Sequence, residues 1–279
     1  MGREAIGIYL SYEPEEQASL VHLVQDGGKP RVLMKEKGTL RRLARLFNLD
    51  LDVVVTIDQT FLRFPSLDFG NRSTSIPKAL ISELIPHHGL TYDYYPIKTR
   101  RHSQTFRFVA VKSSIEEPYL QRHIVRLADS GIMPKVITPA VESLSMLVPP
   151  NRASVLLYQG QHEKQIMIFN GYTYTFANII RLGKCAAYNA IVEACESNIR
   201  WYRANINSHF RPKTIHCVAL NDADVGKFCD KRIICEKLRY PGICLAEMRT
   251  YALALGAALI ALSNERKINF IGKTAREYK

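Results

Sequence analysis

Two stretches of this chain repeat one pattern, and the repetition narrows the fold more than any other feature. Residues 5–12 (AIGIYLSY) are apolar and strand-like, and QASLVHLVQDGGKPRVLMK continues as strand, Gly-Gly turn and strand. TLRRLARLFN follows with Leu40, Leu43, Ala44 and Phe47 at helical spacing, and DVVVTID (52–58) reads as a buried strand. From residue 153, ASVLLYQGQHEKQIMIFNG begins the sequence of elements again. A strand at Val155–Leu157 runs to a turn at Gly160, Ile166–Ile168 returns to an Asn-Gly turn, and YTYTFANIIRLG (172–183) supplies a third strand. A long helix (185–206) then crosses to the strand TIHCVALN (214–221). Meander, helix and further strand therefore occur twice, around residues 5–58 and 153–221, which predicts an α/β chain of two related halves.

The stretch between the repeats has another character. IPKALISELIPHHG (76–89) reads as a helix, and YDYYPIKT (92–99) and TFRFVAVKSS (105–114) as strands joined by a basic turn with Arg100, Arg101 and His102. EEPYLQRHIVRLADSG (116–131) is amphipathic, with Leu120, Ile124 and Leu127 on one face and Gly131 as its cap; MPKVITP (133–139) closes as a strand. Helix, two strands, helix and strand make a small α+β unit spliced into the first half. AVESLSMLV, after Pro139, is a short helix, and DADVGKFCDKRII (222–234) is helical with Asp222 as its cap. The last helix runs from Met248 to Leu262; its apolar run YALALGAALIALS is too short for a bilayer, and its small residues and Gly256 suit close packing on a neighbour.

Of the 279 residues, 47% are hydrophobic, enough for a substantial core, and the formal net charge is +12. Such a balance fits a solvated basic face, an anionic membrane surface, an acidic protein or nucleic acid. The basic runs at 29–47 and 98–107 lack the signatures of an RNA-binding sheet, a helix-turn-helix or a zinc finger, which argues against nucleic acid. The six cysteines, Cys185, Cys195, Cys217, Cys229, Cys235 and Cys244, form no C-x-x-C pair and read as buried, reduced thiols. His87 and His88 stand outside any H-E-x-x-H spacing, so no metal site is expected.

The order of these elements resembles the actin-like superfamily that includes hexokinase and FtsA, and the inserted unit resembles the variant in FtsA and in the pilus protein PilM. FRFVAVKSSIEEPYLQRHIVRLADSGIMPKVITPAVESL (106–144), IIRLG (179–183) and YALALGAAL (251–259) resemble stretches of PilM and of its secretion relative GspL. INFIG (268–272) resembles both the segment before the membrane anchor of GspL and the start of the cytoplasmic peptide of the pilus partner PilN. The resemblance implies an actin-like α/β fold. The first half takes 1–75 and 139–152, the inserted subdomain 76–138, the second half 153–265, and a tail of 266–279 leads towards a membrane anchor.

In ATP-binding members of the superfamily each half offers an Asp and a Gly-rich turn to Mg-phosphate: the carboxylate holds the metal's water shell while backbone N–H groups close on phosphate oxygens. Here IGIYLS replaces the family's IGIDIG, with Tyr9 for Asp and Ser11 for the turn Gly, and LYQG replaces VDIG, with Tyr158 for Asp and only Gly160 retained. Glu13, Glu15 and Glu16 would repel a triphosphate. The expectation is a degenerate site with no cofactor and no catalysis, and a cytoplasmic adaptor at the bacterial inner membrane. It would join a secretion or pilus assembly ATPase to bitopic platform proteins, with a homodimer a further candidate assembly. The alternative is a nucleotide-binding ATPase whose acids come from elsewhere, such as Asp58 or Glu142. For partner contacts, Arg100 and Arg101 in the inserted unit and Ile268, Asn269 and Phe270 in the tail stand out. The tail has two candidate berths, a groove of its own chain or a neighbour's; the second predicts self-association that is lost on deleting residues 267–279.

Overall fold

The computed structural model describes residues 2–11, 17–58, 62–63, 66–69, 91–97, 104–111, 115, 117–149, 152–159, 164–171, 174–180, 188–218, 234–263 and 267–271. The helix expected at 76–89, all but Ile234 of the one expected at 222–234, Gly160, His87, His88, and the basic turn with Arg100 and Arg101 lie outside the described residues. In chain order the elements are β1 (Arg3–Leu10), β2 (Gln17–Gln25), β3 (Arg31–Thr39), α1 (Leu40–Leu43), β4 (Asp52–Ile57), β5 (Leu62–Arg63), β6 (Ser66–Phe69), β7 (Tyr92–Ile97) and β8 (Gln104–Val111). There follow α2 (Glu117–Asp129), β9 (Val136–Pro139), α3 (Ala140–Ser145), β10 (Arg152–Gln159), β11 (Lys164–Gly171), β12 (Tyr174–Ile180), α4 (Tyr188–Asn205), β13 (Thr214–Val218), β14 (Ile234–Lys237) and α5 (Met248–Leu262).

The chain forms two compact units, Met1–Ser143 with Leu253–Lys279, and Leu144–Ala252. The first contains a five-stranded sheet in the order β3-β2-β1-β4-β9, the second one in the order β12-β11-β10-β13-β14. Each has the same design. Its first strand pairs antiparallel with the second and parallel with the fourth, and an edge strand completes each side. The fold is α/β with two related halves, as the duplicated pattern predicts.

Burial follows position in the sheet. The central β1 buries Ala5, Ile6, Gly7 and Ile8 in succession, because both its faces are covered. The edge strand β3 carries Arg31, Lys35, Glu36 and Lys37, charges that discourage further strand pairing. Ile6, Ile8, Leu20, Val55, Leu120, Leu127 and Ile132 share one core in the first unit; Val155, Leu157, Ile166, Ile168, Ile199 and Tyr202 form that of the second. At the close of α2, Gly131 takes φ +74°, a left-handed cap that lets the Ile132 N–H reach the Leu127 carbonyl at 3.0 Å.

Some local expectations are corrected. The helix expected over TLRRLARLFN stops at Leu43: past Ala44 the chain tightens, and the N–H groups of Arg45 and Leu46 bond the carbonyls three residues back, Arg42 and Leu43, at 3.2 and 3.0 Å. The third sheet, in which β8 pairs with β5, β6 and β7, starts at Leu62, earlier than residue 76. Strand β14 was hidden in an apolar run too short to distinguish strand from helix. Cys195 and Cys217 are buried, as expected, but Cys244 is exposed.

Helix α5 reaches its neighbours closely. A Cβ on Gly7 would overlap the backbone of Ala254 and Ala258, and one on Gly256 would overlap the Ser143 backbone. The small residues of YALALGAAL thus let helix, strand β1 and helix α3 meet main chain to main chain in the first unit.

Candidate functional site

Tyr9 is the seventh residue of β1 and Tyr158 the seventh of β10. The neighbours repeat as well: one residue short of the turn, Tyr9 pairs with Ser19 across the antiparallel ladder, and Tyr158 with Gln165. Both stand near the carboxyl ends of strands with parallel neighbours, the end at which open α/β sheets bind ligands. The tyrosine hydroxyl of the first unit donates to Oδ1 of Asp58 at 2.7 Å. Asp58 follows β4 directly and is 1% exposed, so this carboxylate is held inside the protein. Tyr158 is itself buried. Ser11 follows β1 and is half-buried.

Glu142, the other acid considered for a nucleotide site, is fully buried in α3. The Tyr95 hydroxyl donates to both of its oxygens at 3.1 Å, and Arg107 Nε lies 4.0 Å from Oε1. Burial, reinforced by the Glu142 charge, pushes the Tyr95 phenol far above its ordinary value and keeps it a donor. Since β7 and β8 supply Tyr95 and Arg107, this acid ties the third sheet to helix α3. It is engaged in structure.

The tail has a defined berth. Asn269 donates its backbone N–H to Asp93 at 2.8 Å and its side-chain amide to the Lys135 carbonyl at 3.2 Å, while its Oδ1 accepts the N–H groups of Ile137 and Ile271, both at 3.1 Å. The Phe270 N–H donates to the Ile137 carbonyl at 3.0 Å. Ile268 and Phe270 are fully buried among the core residues of the first unit. Residues 267–271 therefore cover the free edge of β9, and of the two berths considered they occupy their own chain's. Polar anchor and apolar plugs alternate along the segment, the arrangement by which an extended peptide joins a sheet edge. Sequence reading singled out Ile268, Asn269 and Phe270 but missed Asp93, which stands in β7 as one acid in an aromatic strand.

Among the described residues no helix is long and apolar enough to cross a membrane. No protein-family profile matches the sequence, and no curated protein does. Solved structures do match. A chain of the PilM–PilN type IV pilus biogenesis complex aligns over 93% of this chain and 98% of its own, with 13% identity and a TM-score of 0.64. The cytoplasmic domain of EpsL, an inner-membrane component of the type II secretion system of Vibrio cholerae, aligns over 95% of this chain and 97% of its own, with 12% identity and a TM-score of 0.53. At this identity the likeness is one of fold, and it extends over nearly the whole of each chain: the protein has the actin-like architecture of these two assembly components, with a tyrosine at the seventh place of the first strand in both halves.

Proposed function

We propose that this protein is a non-catalytic scaffold of a type IV pilus or type II secretion assembly platform. It sits on the cytoplasmic side of a bacterial inner membrane and joins the assembly ATPase to bitopic membrane partners. The observation that carries this reading is the near-complete overlap in fold with a chain of the PilM–PilN complex and with the cytoplasmic domain of EpsL. The non-catalytic character is supported by the tyrosines. Tyr9 and Tyr158 stand where the resemblance expects metal-binding acids, Asp58 already accepts a hydrogen bond from Tyr9, and Glu142 is engaged with Tyr95. Among the described residues a Mg-triphosphate would then find no free carboxylate at either tyrosine position. On the same reading, residues 267–271 fill in cis the place of a partner's cytoplasmic peptide.

Calorimetric titration with Mg-ATP tests the first part: no heat of binding is expected up to millimolar nucleotide, and micromolar affinity would restore the ATPase reading. Sedimentation of the purified chain with the pilus or secretion ATPase of the same organism tests the second. A heavier complex with one of them is expected, and free sedimentation with both overturns the scaffold role.

A further inference from the structure

Helix α4 changes character along its length. Its two carboxylates, Glu193 and Glu196, lie in its N-terminal portion, and from Ser197 to Leu220 the sequence contains no Asp or Glu. Arg200, Arg203, His209, Arg211 and Lys213 fall within that acid-free stretch. Among the described residues none of these three arginines pairs with a carboxylate, nor does the lysine. Two large apolar side chains are exposed among them, Trp201 at 49% and Ile206 at 48%.

The patch rests on a firm base. Phe210 is buried edge-on against Tyr202 at 5.0 Å, and its carbonyl accepts from both Arg203 Nε and Arg211 Nη1 at 2.9 Å. Two guanidinium groups thus converge on one oxygen. Burial, and after it the nearby Arg211 charge, lower the Arg203 pKa. Each guanidinium retains further N–H donors, and Arg200 and Lys213 point into solvent.

We propose that the C-terminal end of α4 and the loop to β13 form a docking face for an anionic phospholipid surface. Arginine forks and a lysine meet the headgroup phosphates, while Trp201 and Ile206 enter the boundary between headgroups and acyl chains. A tryptophan suits that depth because its body is apolar and its N–H polar. Nucleic acid fits less well: one side of Trp201 leans on Phe176, with centroids 5.2 Å apart, and an exposed isoleucine offers nothing to a phosphate backbone. The assignment stands on the second unit alone and is independent of the scaffold reading.

Trp201 is the only tryptophan in the chain, so its fluorescence reports on this face alone. The full chain is titrated with vesicles of phosphatidylglycerol and phosphatidylethanolamine, with phosphatidylcholine vesicles, and with a single-stranded oligonucleotide at the same ionic strength. A blue shift with anionic vesicles only is expected. The double variant Arg200→Glu, Lys213→Glu should weaken partitioning at least about twentyfold, each surface cation contributing about fivefold; Arg41→Glu, in the first unit, should leave it unchanged. Both carry exposed substitutions, and an unaltered thermal transition confirms that they fold. Absence of a shift with anionic vesicles, a shift with the oligonucleotide alone, or binding unaffected by the double variant would each overturn the proposal.

Discussion

His123 lies on the buried face of α2 between Leu120 and Leu127, 4% exposed, with Arg122 and Arg126 beside it. Burial first, and the two arginines after it, lower its pKa from 6.5 to about 4. The folded chain therefore keeps the imidazole neutral at a pH where the unfolded chain protonates it. As pH falls from about 6.5 towards 4, the unfolded state gains a proton that the folded state refuses, and stability declines across that window by about 3 kcal/mol. Urea denaturation at pH 7 and at pH 4.5 measures this, and His123→Leu should flatten the difference; an equal acid loss in the variant would refute the assignment. The periodicity of Leu120, Ile124 and Leu127 predicted the helix face, and His123 shares it. Whether a histidine on such a face is buried depends on what lies opposite, and a linear sequence does not contain that information. Asp93 illustrates the same limit: its partner, the backbone of Asn269, lies 176 residues away.

At the scale of elements, helix α5 depends on two glycines for its seat. Replacing Gly256 with alanine places a methyl group into the Ser143 backbone, and replacing Gly7 does the same against Ala254. Neither neighbour is the flexible end of a side chain, so each substitution should cost about 3 kcal/mol or more through forced backbone movement. Thermal denaturation of Gly256→Ala and Gly256→Ser checks this; a transition matching that of the natural chain would show that the helix can slide aside at little cost. The small-residue run made this element readable in advance, as did the duplicated meander for the two five-stranded sheets. Short elements were the hard ones. Strand β14 and the pair β5 and β6 have too few residues to express a period, and partners recruited from distant strands decide their form. The candidate site divides in the same way. The equivalence of Tyr9 and Tyr158 could be read from matching strand ends, while the hydrogen bond to Asp58 depends on the parallel register of β1 and β4, which the chain alone does not specify.

At the scale of the whole molecule, the segment 267–271 is part of the core of the first unit. Phe270 is fully buried there, so Phe270→Ala should destabilise that unit by about 3–5 kcal/mol. Deleting residues 267–279 should leave the sedimenting mass per particle unchanged apart from the missing residues, because the contact is made within one chain. A synthetic peptide of the sequence KINFIGK should raise the stability of the shortened protein in proportion to its concentration, as any ligand of the folded state must. No gain at millimolar peptide would indicate that the segment matters only through its covalent connection.

The first unit is also discontinuous: Met1–Ser143 meets Leu253–Lys279 across the entire second unit. During synthesis from the N-terminus, the β9 edge and the places of Ile268 and Phe270 stay uncovered while the ribosome makes everything in between. Domains emerging early ordinarily fold first, but here the earlier half has to await residues made after the second unit. A nascent or stalled chain would present an open strand edge beside vacant apolar sites, the surface that chaperones hold and that other chains pair with. The order of synthesis and the order of completion are thus reversed: the unit begun first is closed only after the second has been made.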